Sequence, residues 1–322
     1  MKPALLALVL ALGLAACGGG ASSTTTTSGD GTATAGQLAL YNYNPGGPVG
    51  LRDKGQLKFA KPYPITFHDI TYVSPKGGYV PGFLVMPPGK GPYPGVILLH
   101  GSGEDRQTLL PYASWLAARG MVALTITSAF DRPANTALGA PQQTGGPLKQ
   151  QRDLAVQTVL DVRRGIDLLR SLPQVGKTSP VGFLGFSAGA KSGAVLAGVD
   201  HRLGAVVLVS GGSPSLKKVL DEAPANSKAT VAAFLGATDP ARFVGRDTAP
   251  LLIMIGKKDE LVPQGDLQAL VDAAPKSGVE VKRYNGGHDL LHTTKAAVHD
   301  MLAFLSTKLH AGPPVKGADT GP

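Results

Sequence analysis

Between Gly95 and Gly256 the chain repeats short runs that are apolar at nearly every position, and this feature limits its fold most tightly. The runs are GVILLH (95–100), MVALTI (121–126), PVGFLG (180–185), GAVVLVS (204–210) and PLLIMIG (250–256). A strand with one wet face alternates apolar and polar residues. A run without alternation suits a strand covered on both faces, as in a parallel sheet. Helical patterns lie between the runs: Arg106–Arg119, Gln151–Ser171 with apolar Leu154, Val159, Ile166 and Leu169, Gly265–Ala274, and Leu290–Leu309. Strand alternating with helix predicts an α/β fold with a mostly parallel, doubly wound sheet. Ahead of it, PITFHDITYV (64–73) and GYVPGFLVMP (78–87) partly alternate around Ser74-Pro75-Lys76-Gly77 and predict antiparallel N-terminal strands. Residues 211–249 are less regular and read as a small insertion over the sheet edge.

One Gly-x-Ser-x-Gly pentapeptide, Gly185-Phe186-Ser187-Ala188-Gly189, closes the third apolar run. With 43 glycines in 322 residues, about 0.3 such pentapeptides arise by chance, so the context must decide. A buried strand ends near Leu184 and SAGAKSGAVLAG can open a helix. Serine at the apex of a strand-turn-helix holds its hydroxyl clear of the backbone, while the flanking glycines let strand and helix approach closely. The helix N-terminus supplies free N–H groups and partial positive charge beside it. Walker spacing is absent, and the dinucleotide fingerprint is poor. Ser187 is therefore the candidate nucleophile.

A serine hydroxyl needs a base, an acid that orients the base, and donors for an oxyanion. In a doubly wound sheet these stand at the carboxyl ends of strands, with the acid after the nucleophile in sequence and the base last. PLLIMIGKKDELVP places Asp259 just past a strand end. Glu260 beside it would point elsewhere, and Asp239 follows a weaker apolar run. VEVKRYNGGHDLLH offers a strand near 279–284, then Gly286-Gly287, whose sharp loop can carry His288 back over the strand ends. His288 and His292 also have a metal-ligand spacing, but the glycine pair places His288 in a loop and no further ligands are evident, so no metal is expected. For the oxyanion, one donor is the amide of Ala188, directly after the nucleophile. The other comes from His100-Gly101-Ser102-Gly103, with Ser102 first and Gly103 as the alternative. His100 itself reads as a hydrogen bonder within that loop.

Taken together, His-Gly-Ser-Gly at 100–103, Gly-Phe-Ser-Ala-Gly at 185–189, Gly-Lys-Lys-Asp-Glu-Leu-Val-Pro at 256–263 and Gly-Gly-His at 286–288 resemble the α/β-hydrolase superfamily, in its dienelactone hydrolase-like and prolyl-oligopeptidase-like branch. The resemblance runs from about Pro81 to Leu309. It implies an α/β-hydrolase fold, a Ser187–Asp259–His288 triad and no cofactor. Dienelactone hydrolases proper use a cysteine nucleophile where this chain has Ser187, so the resemblance implies kinship of fold more than a dienelactone substrate. Prolyl-oligopeptidase relatives usually add a β-propeller, for which the stretch ahead of the core is too short. The expected activity is hydrolysis of a small-molecule carboxylic ester through an acyl-enzyme, with peptide or amide cleavage of the prolyl-oligopeptidase type, or a non-catalytic binding lipoprotein on the same scaffold, as the alternatives.

The ends of the chain read differently. Met1-Lys2, an apolar stretch from Ala4 to Leu14 and Leu14-Ala15-Ala16-Cys17 resemble a bacterial lipoprotein signal, too short to span a membrane. Cys17 is the only cysteine. The expectation is a signal peptide over 1–16, a diacylglycerol on the Cys17 sulfur, and a protein exported and lipid-anchored to the cell envelope. Residues 17–37 read as a flexible Gly/Ser/Thr tether, 38–310 as the hydrolase domain and 311–322 as a disordered tail. The net charge of +9 comes from scattered Lys and Arg without an arginine-rich run. It reads as a solvated surface, and no nucleic-acid partner is expected.

Overall fold

The protein is described here by a computed structural model covering residues 31–58, 63–133 and 147–322. The lipobox-like segment ending at Cys17 and most of the tether lie outside the described residues. Nine strands form one sheet in the order β1-β2-β3-β5-β4-β6-β7-β8-β9. β1 (Arg52–Gln56), β2 (Thr66–Val73) and β3 (Tyr79–Met86) are antiparallel, and β3 also pairs antiparallel with β5. β4 (Gly95–Leu99), β5 (Val122–Ile126), β6 (Val181–Phe186), β7 (Leu203–Val209), β8 (Leu251–Gly256) and β9 (Val279–Tyr284) run parallel to one another. This is a mostly parallel sheet with antiparallel N-terminal strands, as the apolar runs and the alternating segments predict, and it fits the fold that the resemblance implies.

The helices are α1 (Ala35–Ala39), α2 (Leu110–Ala118), α3 (Pro147–Ser171), α4 (Ala188–Val199), α5 (Leu216–Glu222), α6 (Lys228–Thr238), α7 (Pro240–Val244), α8 (Gln264–Ala273), α9 (Leu290–Thr293) and α10 (Lys295–Lys308). α3, α4, α7 and α8 cover one face of the sheet, while α2, α9 and α10 cover the other. The unbroken apolar runs follow from this. In β4, Ile97 and Leu99 enter one core while Val96 and Leu98 enter the opposite one, and all four are buried. Each fully buried side chain of this size contributes about 1.5–3 kcal/mol, so a polar residue at any of these positions is costly on either face.

The strand order reverses at β4. The chain steps from β4 outward to β5, then returns past β4 to β6 and continues the other way. The crevice between β4 and β6 at their carboxyl ends is therefore the topological switch point, the place where such sheets bind ligands.

Several boundaries differ from the sequence reading. α2 begins at Leu110, not Arg106, because the Asp105 carboxylate accepts the Gln107 N–H in a local turn and Pro111 sits in the first helical turn. The C-terminal helix breaks at Thr294, whose extended backbone separates α9 from α10. Residues 211–249 hold three short helices, α5 to α7. β1 has no apolar pattern: all five residues are exposed, and backbone pairing to β2 makes it a strand.

Two expectations about the ends are corrected. Thr34 caps α1, with its side chain accepting the Gln37 N–H while Gln37 Oε1 accepts the Thr34 N–H, so ordered chain begins inside the expected tether. Tyr41 is then buried and donates its hydroxyl to the Ala237 carbonyl at 2.6 Å. The tail from Ala311 has no helix or strand but is not disordered. Val315 N–H donates to Ala118 O at 2.7 Å, Trp115 Nε1 to Asp319 at 3.0 Å and Arg119 Nε to Thr320 O at 2.9 Å. Its glycines and prolines exclude regular structure, yet they leave the backbone free to bond along α2.

Candidate active site

Ser187 stands between β6 and α4 with φ 53° and ψ −112°. A serine held in this sparsely populated region costs about 1–3 kcal/mol and persists only where the surroundings impose it. Here they do so by volume. A Cβ on Gly185 would lie 2.4 Å from Gly189 O, and one on Gly189 would lie 2.1 Å from Leu99 O. Both glycines of the pentapeptide are required for strand β6, helix α4 and the end of β4 to meet. The Ser187 N–H is held by Val209 O at 2.9 Å, leaving the hydroxyl at the switch point.

Ser187 Oγ lies 2.9 Å from His288 Nε2. His288 Nδ1 lies 3.0 and 2.9 Å from the two Asp259 oxygens. A carboxylate at Nδ1 sets that nitrogen as the N–H, so Nε2 is the free acceptor facing the serine. Asp259 Oδ1 also accepts the N–H groups of Leu261 at 3.0 Å and Val262 at 2.8 Å, which fixes the carboxylate with no exposure of its side chain. The close packing continues behind it: a Cβ on Gly256 would lie 2.2 Å from Gly287 O.

Two residues hold the His288 backbone that the sequence reading did not assign to the site. Ser210, at the end of β7 with φ 53°, donates its hydroxyl to His288 O at 2.7 Å. Glu260 has no hydrogen bond to the imidazole among the described residues; its Oε2 accepts the backbone N–H of His288 at 3.2 Å. Asp239, the other candidate acid, is remote from this arrangement in role: it caps α7 by accepting the Ala241 N–H. His292 pairs with Asp289 at 2.5 Å, so the two histidines of the metal-like spacing turn to different carboxylates. Among the described residues no group of three His, Cys, Asp or Glu side chains is placed to hold a metal.

The loop after β4 abuts Ser187, since a Cβ on Gly101 would lie 3.3 Å from Ser187 Cβ. The Gly101 N–H donates to Glu104 Oε2 at 2.8 Å, so the Glu104 carboxylate helps to hold this loop. The Gly103 N–H donates to Asp131 Oδ1 at 3.0 Å. Among the described residues the Ser102 N–H has no acceptor, which favours Ser102 over Gly103 as an available donor. Ala188 opens α4, where helix geometry leaves its N–H without an intrahelical partner. His100 is buried; its Nε2 accepts the Ser128 N–H at 3.1 Å, which makes Nδ1 the donor to Gly101 O at 2.6 Å. It is a loop hydrogen bonder and not a proton shuttle in this arrangement.

One turn into α4, burial lowers the pKa of Lys191, with Asp266 opposing the shift. Burial, with Asp289 and Glu104 nearby, raises the Tyr112 phenol far above its ordinary range, so it is a neutral neighbour of the His292 ring.

The dienelactone hydrolase family profile matches residues 80–300. An acetyl xylan esterase from a Paenibacillus species is similar in structure with a TM-score of 0.66 and 21% identity, over 83% of this chain and 92% of its own. Acetyl xylan esterase 1 from a Thermoanaerobacterium species gives a TM-score of 0.66 at 17% identity, over 88% of this chain and 95% of its own. An esterase from Pyrococcus furiosus gives 0.56 at 18%, over 76% and 93%. None of the curated proteins matches the chain by sequence. At these identities the solved structures establish the fold, and the profile match over most of the length establishes more: the chain belongs to the dienelactone hydrolase family of α/β-hydrolase enzymes.

Proposed function

We propose that this enzyme hydrolyses carboxylic esters with Ser187 as nucleophile, His288 as base and acid, and Asp259 as the group that orients His288. The observation that carries the reading is the continuous chain Ser187 Oγ–His288 Nε2–Asp259 at 2.9 and 2.9–3.0 Å, ending on the strained turn at the switch point. As Ser187 Oγ bonds to the acyl carbon, its proton passes to His288 Nε2 and Asp259 stabilises the imidazolium. The N–H groups of Ala188 and Ser102 take up the charge on the former carbonyl oxygen; one such donor contributes about 3 kcal/mol to the transition state. His288 then gives its proton to the leaving alcohol. Water attacks the acyl-enzyme by the same route in reverse, releasing the acid and restoring Ser187.

The test is a series of p-nitrophenyl esters of graded acyl length, starting at acetate because two of the similar structures are named acetyl xylan esterases. Matched aminoacyl anilides run beside it. Ester turnover that disappears in Ser187→Ala, with anilides more than tenfold slower, supports the proposal. Anilides within tenfold of the ester, about 1.4 kcal/mol in barrier, would replace it with an amidase reading.

We further propose that the enzyme works outside the cytoplasm, attached by diacylglycerol on Cys17. Support comes from the Leu14-Ala15-Ala16-Cys17 pattern after a short apolar run. Two or more acyl chains on one residue make such attachment stable, whereas one chain holds weakly. Cys17→Ser should move the protein out of the membrane fraction or leave it unprocessed. An unmodified mature N-terminus elsewhere in the chain would refute the anchor.

A further inference from the structure

We infer that Asp131 is a positioning residue of the oxyanion site, acting through the backbone of Gly103. The inference rests on the serine-hydrolase reading above and extends it to a carboxylate in the segment after β5, a strand that contributes nothing to the triad. Gly103 sits at φ +75° with nothing within 4 Å of where its Cβ would stand, so no packing at that position holds the turn. Its N–H is held by the 3.0 Å hydrogen bond to Asp131 Oδ1, as the Gly101 N–H is held by Glu104. The second oxygen of Asp131 accepts the Ser128 hydroxyl at 2.5 Å, which locks the carboxylate in orientation.

The segment bearing Asp131 is itself bolted down. The Ala129 N–H donates to Thr158 Oγ1 at 3.1 Å, and Arg132 pairs with Asp161 of α3, both side chains almost fully buried. The Ser128 N–H reaches the other end of the same loop through His100 Nε2. The stretch 128–132 thus grips the 100–103 loop at two points, His100 and Gly103, with Ser102 between them. With the Gly101 and Gly103 amides both engaged, Ser102 is left as the amide free to meet a developing oxyanion.

A negative charge next to an oxyanion site opposes the charge that forms there, so the contribution of Asp131 must lie in geometry and not in electrostatics. This separates the acceptor from its charge. Asparagine keeps an oxygen for the Gly103 N–H and loses the charge; alanine loses both.

The experiment measures kcat and KM for p-nitrophenyl acetate, with thermal melting, for the wild type, Asp131→Asn, Asp131→Ala and Ser187→Ala. The expected result is a kcat for Asp131→Ala lower by about ten- to a hundredfold, below the full loss typical of a deleted oxyanion donor, with KM within about threefold. Asp131→Asn should keep or exceed wild-type kcat. If Asp131→Ala fails to fold, Ser128→Ala, which frees the carboxylate but leaves it in place, should lower kcat several-fold in the same manner. The role is overturned if the folded variants keep wild-type kcat, if the loss lies in KM, or if Asn loses as much as Ala. Full activity in Ser187→Ala would overturn the serine-hydrolase reading and this inference with it, whereas an inactive Ser187→Ala beside an unimpaired Asp131→Ala would remove only the role of Asp131.

Discussion

The turn after β6 and the pair of loops after β8 and β9 deliver the three residues of the proposed triad by opposite means. Around Ser187 the constraint is volume: Gly185 and Gly189 leave 2.4 and 2.1 Å where a Cβ would stand, and among the described residues no side chain caps the backbone of the turn. Around His288 the constraint is mostly polar: Ser210 holds its carbonyl, Glu260 its N–H and Asp259 its imidazole. A sterically fixed group fails abruptly when a methyl is added. A group fixed by several hydrogen bonds shares its position among them and weakens by steps.

The largest expected effect is in the polar region, at the one contact that is not shared. Asp259→Asn should lower kcat by about 10⁴, because the amide favours the wrong imidazole tautomer, with little change in melting temperature. Retention of more than a tenth of the activity would show that the tautomer is set elsewhere. Gly189→Val comes next. Overpacking against the Leu99 carbonyl should cost about 3 kcal/mol or more in denaturant unfolding and abolish activity in whatever remains folded. A stable, active Gly189→Val protein would break the steric half of the comparison.

A carboxylate at the other end of β8 sharpens the contrast. Asp259 is fully partnered, whereas Asp247, in the turn leading into the strand, has one buried oxygen without a partner among the described residues. Burial raises its pKa from 3.8 to about 6, with the Ala249 and Thr248 N–H groups opposing. A raised folded-state pKa contributes stability that is fully present below about pH 4 and is lost as pH rises through about 6. Asp247→Asn removes that loss, so the variant should exceed the wild type by about 3 kcal/mol at pH 8 and match it near pH 4. Equal stability at pH 8 would mean the carboxylate is relieved by some other contact. The smallest effects belong to the shared holders of His288. Ser210→Ala and Glu260→Gln should each change kcat by less than about tenfold, within the 0.5–1.5 kcal/mol of one hydrogen bond. A larger loss from either would make that bond as decisive as the Asp259 contact.

The same contrast explains what the sequence made legible. The sheet follows from unbroken apolar runs, and the nucleophile turn from two glycines four residues apart, because both are local rules of packing. Asp259 and His288 could be found because strand ends and a glycine pair mark their loops. Glu260 was read only as pointing elsewhere, and Ser210 and Asp131 were not read at all. Their bonds span 28, 78 and 28 residues respectively, and a single hydrogen bond across such distances leaves no period or spacing. β1 is illegible because backbone pairing to β2 holds it, which requires no particular side chain, and the tail because single long-range bonds such as Trp115 to Asp319 hold it.

The central claim is that Ser187 is the nucleophile because the turn and His288 together activate it. It is tested most directly by reaction with a fluorophosphonate, followed by mass mapping of the adduct. One phosphonyl group per chain on Ser187, absent from Ser187→Ala and formed at least a hundredfold more slowly in His288→Ala, is the predicted result. An adduct on another residue, or labelling of Ser187 that ignores the loss of His288, would contradict it.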